Sequence, residues 1–128
     1  MAHSLWSNLF PVARPVIGMV HLPALPEAPG YVRSPDAIHE AVMRDVAALL
    51  EGGVHGLMIE NFCDVPFFAD SVPPTTIAHM TRLARMVRER TDQPIGINVL
   101  RNDALAALSI AHAVEANFIR VNVLSGAR

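Results

Sequence analysis

From Ile95 to Asn98, and again from Phe118 to Asn122, polar residues alternate with aliphatic ones, which gives each segment two chemically different faces as a β-strand. Asn98, Arg120 and Asn122 then share one face. The intervening stretch from Asp103 to Ala116 has a helical pattern, so the two strands run parallel and are covered on both sides. Polar side chains inside a buried parallel sheet need partners, and a ligand is one way to supply them.

The same rhythm extends back through the chain. After an amphipathic leader around Leu5, Trp6, Leu9 and Phe10, Pro15 introduces a first strand, Val16 to Leu22. A proline- and glycine-rich loop from Pro23 to Arg33 follows, long enough to read as a functional loop over the strand's C-terminal end. Ser34 is placed to cap a helix with Pro35 at its first position, Ile38, Val42, Val46 and Leu49 on one stripe, and Gly52-Gly53 as the stop. A second strand is expected from His55 to Asn61. The loop Phe62 to Pro74 leads to a helix capped by Thr75 or Thr76, with Ile77, Met80, Ala84 and Val87 turned inward. Pro94 marks entry to the third strand. Asp103 caps an alanine-rich third helix with Leu105, Leu108 and Ala111 on one side, and Asn117 terminates it. Strand and helix alternate without internal repeats, the signature of βαβ units.

Composition narrows the function classes. Hydrophobic residues make up 52% of the 128 and charged ones 17%, which supports a real core. A formal charge of -2 gives no general attraction to nucleic acid or anionic lipid. Arg82, Arg85, Arg88 and Arg90 fall on one helix, but Glu89 and Asp92 interrupt them, and the pattern is read as a solvated outer face, not an RNA groove. All ten Lys/Arg positions are arginine, so this polypeptide alone has neither a Schiff-base lysine nor a P-loop lysine. Cys63 is the single cysteine and excludes an internal disulfide. With no signal-peptide pattern in Met1 to Phe10 and no apolar run of about 18 residues, the chain reads as a cytoplasmic protein without a transmembrane segment.

If polar residues set the phase of each strand, one rim collects His21, Glu60, Asn61, Asn98, Arg101, Asn102, Asp103, Arg120 and Asn122. His21 and Glu60 are the candidate catalytic pair, one able to exchange a proton near neutral pH and the other able to orient it or act as base. Asn61, Asn98, Arg101, Asn102, Asp103, Arg120 and Asn122 are candidate ligand-binding residues, although helix capping also accounts for Asp103. The competing structural account is a histidine satisfied by backbone and an internal ion pair of Glu60 with Arg120 or Arg101. His21, Glu60 and Asp64 are residue types that bind a divalent metal, but no tight ligand motif is present and no metal is assigned. The cofactor is unknown.

Four segments in order carry a family resemblance: Pro15-Val16-Ile17-Gly18-Met19-Val20-His21-Leu22-Pro23; Ile59-Glu60-Asn61-Phe62 with Asp64-Val65-Pro66-Phe67; Gly96-Ile97-Asn98-Val99-Leu100-Arg101-Asn102-Asp103; and Phe118-Ile119-Arg120-Val121-Asn122-Val123 with Gly126-Ala127. Together they closely resemble the BtpA family. The resemblance implies a TIM-type (β/α)8 barrel. It also implies a link to the factor needed for stable photosystem I accumulation in cyanobacteria for which the family is named, while relatives in non-photosynthetic organisms look like enzymes of unknown substrate. A complete barrel takes eight βα units in about 250 residues. The expectation is therefore an α/β half-barrel of four parallel strands and three covering helices over residues 15–128, behind a leader of residues 1–14. Three functional readings stand side by side. The full-length form binds or transforms a small polar molecule, phosphorylated ones included, at the barrel mouth; it is a non-enzymatic photosystem I biogenesis factor working through a surface; or this chain is a fragment without independent function. Homo-oligomer formation through unclosed sheet edges is expected in each case.

Overall fold

In the computed structural model, which describes residues 4–126, four parallel strands lie side by side in the order of the chain. The elements are α1 (Leu5–Leu9), β1 (Ile17–His21), α2 (Pro35–Glu51), β2 (Gly56–Glu60), α3 (Pro74–Arg90), β3 (Ile95–Asn98), α4 (Ala104–Val114) and β4 (Phe118–Ile119). Helices α2, α3 and α4 connect consecutive strands and cover one face. This is the arrangement of half a (β/α)8 barrel.

Local chemistry explains where the elements begin and end. Ser34 accepts a hydrogen bond from Ala37 N–H, Pro35 occupies the first turn, and Gly52 closes α2. Asp103 caps α4, accepting from Ala106 N–H at 2.9 Å. Three expectations need correction. Helix α3 starts a turn early, at Pro74 with Pro73 before it, because proline's fixed φ suits a first turn; Thr76 is already inside and buried. Helix α4 ends at Glu115, in the left-handed region at φ 59°, so Asn117 is not its terminator. Its inward side is Ala106, Ala107, Ile110, Ala111 and Val114, whereas Leu105 and Leu108 are exposed. Small alanines let α4 lie close on the sheet, and the larger leucines point away from it. Strand β4 is also shorter than the alternation suggested, stopping at Ile119, with Arg120 N–H extending the ladder to Ile97 O at 3.0 Å.

Asn117 has a different task. Its Oδ1 accepts from Ile95 N–H at 2.9 Å and from Arg88 Nη1 at 3.1 Å, while Arg88 Nη2 donates to Thr91 O and Gln93 O, each at 2.7 Å. Arg88 thereby closes the end of α3 and braces the entries to β3 and β4. A residue that reads as part of a solvated face is a staple at the lower end of the barrel.

The register sorts side chains into two layers. Val20, Leu57, Ile59, Ile95 and Ile97 are fully buried beneath the helices with Val42, Val46, Met80, Leu83, Val87 and Ile110. The opposite, concave face is stacked in tiers. Ile17 pairs with Gly56; Met19 aligns with Met58, Gly96 and Phe118; His21 aligns with Glu60 and Asn98. At the lower tiers the glycines make room for rings. A Cβ on Gly56 would meet the Phe10 ring at 2.9 Å, and one on Gly96 would clash with the edge of the Phe118 ring. Trp6 and Phe10, with centroids 4.6 Å apart, join Phe118 to form an aromatic floor under the concave face. The upper tier, at the strands' C-terminal ends, is polar.

Candidate functional site

Burial makes Glu60 the centre of this upper tier. An ionised carboxylate cannot be buried alone, and Glu60 is compensated on one oxygen: Oε2 accepts from Asn98 Nδ2 at 3.0 Å and is paired with Arg120 Nη2. Its other oxygen, Oε1, lies 3.8 Å from His21 Nε2, beyond direct hydrogen-bond reach. The strand register causes this meeting, since His21 and Glu60 are directly paired on neighbouring parallel strands and Glu60 is paired in turn with Asn98. Asn98 is itself buried and also donates toward Asn122 Oδ1 at 3.5 Å.

The His21 side chain is 41% exposed at the open end of the tier. Its ring stacks on Phe62 with centroids 4.2 Å apart and planes 11° from parallel. Sequence reasoning singled out no role for Phe62. The available signal was an aromatic residue two places after Glu60, in a loop at a strand's C-terminal end, where an apolar side chain has no core to enter.

The other candidates divide by what already occupies them. Asn61 is buried, with Oδ1 accepting from Leu100 N–H at 2.7 Å and Nδ2 donating to Leu100 O at 3.3 Å and to Asp64 at 3.4 Å. Asp103 divides its carboxylate between the α4 cap and Val72 N–H at 2.8 Å. Asn102 exchanges two hydrogen bonds with the Val123 backbone, and Asn122 Nδ2 donates to Arg101 O at 2.8 Å. These four amides and carboxylates lace the rim loops to one another. Arg101 is exposed beside Ala69, Asp70, Asn102, Asn122 and Val123 in a cleft of about 170 Å³.

Asp64, set aside as a metal ligand, belongs to the same lacing. Its Oδ1 accepts from Leu25 N–H at 2.8 Å and so ties the β1–α2 loop to the β2–α3 loop. Burial pushes its carboxyl above the usual 3.8, against the opposing pull of the Leu25 N–H and the Asn61 amide. Cys63 next to it is exposed. Among the described residues, no group of three or more His, Cys, Asp or Glu side chains is gathered to hold a metal ion.

The tier sets the Glu60 carboxylate beside the His21 imidazole, above a mostly apolar hollow of about 300 Å³ lined by Trp6, Ile17, Met19, Met58, Phe118, Ile119 and Arg120. No described helix is long and apolar enough to cross a membrane.

The chain has relatives among known proteins. Residues 12–128 match the BtpA family. An uncharacterised protein of Thermococcus kodakarensis is 50% identical over 115 residues, covering 88% of this chain and 43% of that protein. The photosystem I biogenesis protein BtpA of Synechocystis is 44% identical over 117 residues, covering 91% of this chain and 41% of its own length. An uncharacterised mitochondrial protein of Caenorhabditis elegans is 31% identical over 120 residues. The chain spans less than half the length of these curated relatives. No solved structure matches.

Proposed function

Because this chain belongs to the BtpA family, we propose that its polar tier is the first half of a barrel-mouth site that, in the full-length form, binds or transforms a small polar molecule, with His21 and Glu60 as the proton-handling pair. The observation that carries this reading is the asymmetry of Glu60. One oxygen is fully engaged by Asn98 and Arg120, while the other faces His21 across a gap on the open side of the sheet. An ion pair serving stability alone has no need of an imidazole poised beyond hydrogen-bond distance. Asn98 and Arg120 hold the carboxylate in place, Phe62 stacks on the imidazole, and hydrogen bonds lace the rim loops to one another, an arrangement that suits the preorganisation a proton-transfer site requires. Arg101, exposed at the rim, gives it a cation for an anionic substituent, a phosphate among them.

The test replaces the counterparts of Glu60 with Gln and of Asn98 with Ala in a full-length relative. Ligand binding or turnover is expected to vanish while the melting temperature changes little; retained function with a large loss of melting temperature would assign both residues to structure alone.

A second reading has its own support. The Synechocystis relative bears the name of a photosystem I biogenesis protein, and Leu105 and Leu108 expose 76% and 55% of their surface on α4. A factor working through that helix face would lose function on Leu105→Ser with Leu108→Ser and keep it on the mouth substitutions.

A further inference from the structure

We infer that the group this mouth is shaped to hold between His21 and Glu60 is an aliphatic hydroxyl, which makes the ligand a small hydroxylated molecule of the polyol or sugar type; the inference rests on the mouth-site reading above. Glu60 Oε2 is saturated by Asn98 and Arg120, so Oε1 is the carboxylate's remaining acceptor. Across from it stands His21 Nε2 at 3.8 Å. One oxygen atom at ordinary hydrogen-bond distance, roughly 2.8 Å from each, fits that span.

The donors and acceptors select what that oxygen is. Oε1 of an ionised carboxylate only accepts, so the bridging group has to donate to it. Carbonyl, carboxylate and phosphate oxygens only accept, and they would meet Glu60 lone pair against lone pair. An ammonium group can donate, but Arg120 already balances the Glu60 charge, and a second cation there would be left uncompensated. A hydroxyl donates its one proton to Oε1 and keeps lone pairs for an Nε2–H of His21. The surroundings agree with an aliphatic carrier. Below the gap the hollow is lined by Met19, Met58 and Ile17, which suits the carbon side of a carbinol, with Arg120 on the same wall. Phe62 stacks on the imidazole face and leaves the ring edge with Nε2 turned to the gap.

The test uses the chain as it stands, isotopically labelled, with the His21 ring and Asn98 side-chain amide signals followed by NMR. Three probes are titrated to tens of millimolar: glycerol 3-phosphate, propyl phosphate, which has the same anion without hydroxyls, and inorganic phosphate. Glycerol 3-phosphate is expected to shift both signals with a Kd at least about tenfold lower than propyl phosphate, the size expected when a carboxylate and an imidazole lose their shared partner. Glu60→Gln should bring that ratio close to one, and His21→Asn, at a more exposed position and followed through the Asn98 amide alone, is expected to do the same if Glu60→Gln unfolds the chain. Equal Kd values for the two esters, or an equal response to inorganic phosphate, overturn the hydroxyl assignment and leave an anion site. Signals that no probe moves would also overturn the hydroxyl assignment, while the mouth reading is decided separately by the full-length substitutions above.

Discussion

Asp64 shows how one buried carboxylate can be read through pH. Its carboxyl sits above the ordinary 3.8 because burial outweighs its two hydrogen bonds, so the folded chain holds that proton to higher pH than the unfolded chain does. Between the ordinary value and the raised one the folded state binds more protons, and this residue's contribution to stability therefore falls as pH rises through that window. Below the window the contribution is whole; above it, the cost of the buried charge is complete. Asp64→Asn keeps an acceptor for Leu25 N–H and has no charge to bury. At pH 7 it should melt no lower than the parent, with any advantage shrinking as the solution is acidified toward pH 4; thermal denaturation at both pH values checks this, and a less stable Asn variant at neutral pH would contradict it. Arg88 offers the opposite case. Its guanidinium holds Thr91 O, Gln93 O, Glu115 O and Asn117 Oδ1 together. Arg88→Ala should cost about 1–3 kcal/mol in urea denaturation, and Arg88→Lys should recover little of it, since an ammonium lacks the planar fork that reaches four acceptors.

At the scale of elements, the alternation of Asn98 with Ile97 and of Arg120 with Ile119 carried the strand phase, because covering helices demand an apolar residue at every second position. Capping signals were equally legible where the cap is made by a side chain, as at Ser34 and Asp103. They failed at Thr75 and Thr76, where two prolines start α3 with no side-chain cap bond. The inward side of α4 was missed for a related reason. Among so many alanines the leucines look like the core stripe, but the sheet takes the small residues when the helix lies close. Of the candidate site, the meeting of His21 with Glu60 followed from phase and parallel pairing. The loop lacing by Asn61, Asn102, Asp103 and Asn122 did not, because a hydrogen bond between distant loops leaves no periodicity. Gly96 offers a check on the tiers: Gly96→Ala would drive a methyl into the Phe118 ring, and a lowered melting temperature of the folded chain is expected. An unchanged one would mean that the ring yields freely.

For the whole molecule, the decisive quantity is apolar surface. Leu5, Leu105 and Leu124 expose 89%, 76% and 88% of theirs, and Val16, Leu108 and Trp6 are exposed as well. A hollow between α4 and the free side of β4 is lined by Leu108, Ala111, Ala116, Phe118 and Ile119, with His112, Glu115 and Asn117 among them. Patches of this kind are rarely left to water. The isolated chain is therefore expected to self-associate in light scattering and to bind a hydrophobic dye, and a well-behaved monomer at high concentration without dye binding would contradict both. The aromatic floor supplies a means of watching such closure. Trp6 is the single tryptophan of the chain and touches both Phe10, which leads into β1, and Phe118, which opens β4. An indole in contact with both flanks of the sheet is a built-in optical gauge: its emission registers any change in the spacing of the first and last strands, and the assembly of a barrel around this half can be timed without attaching a label.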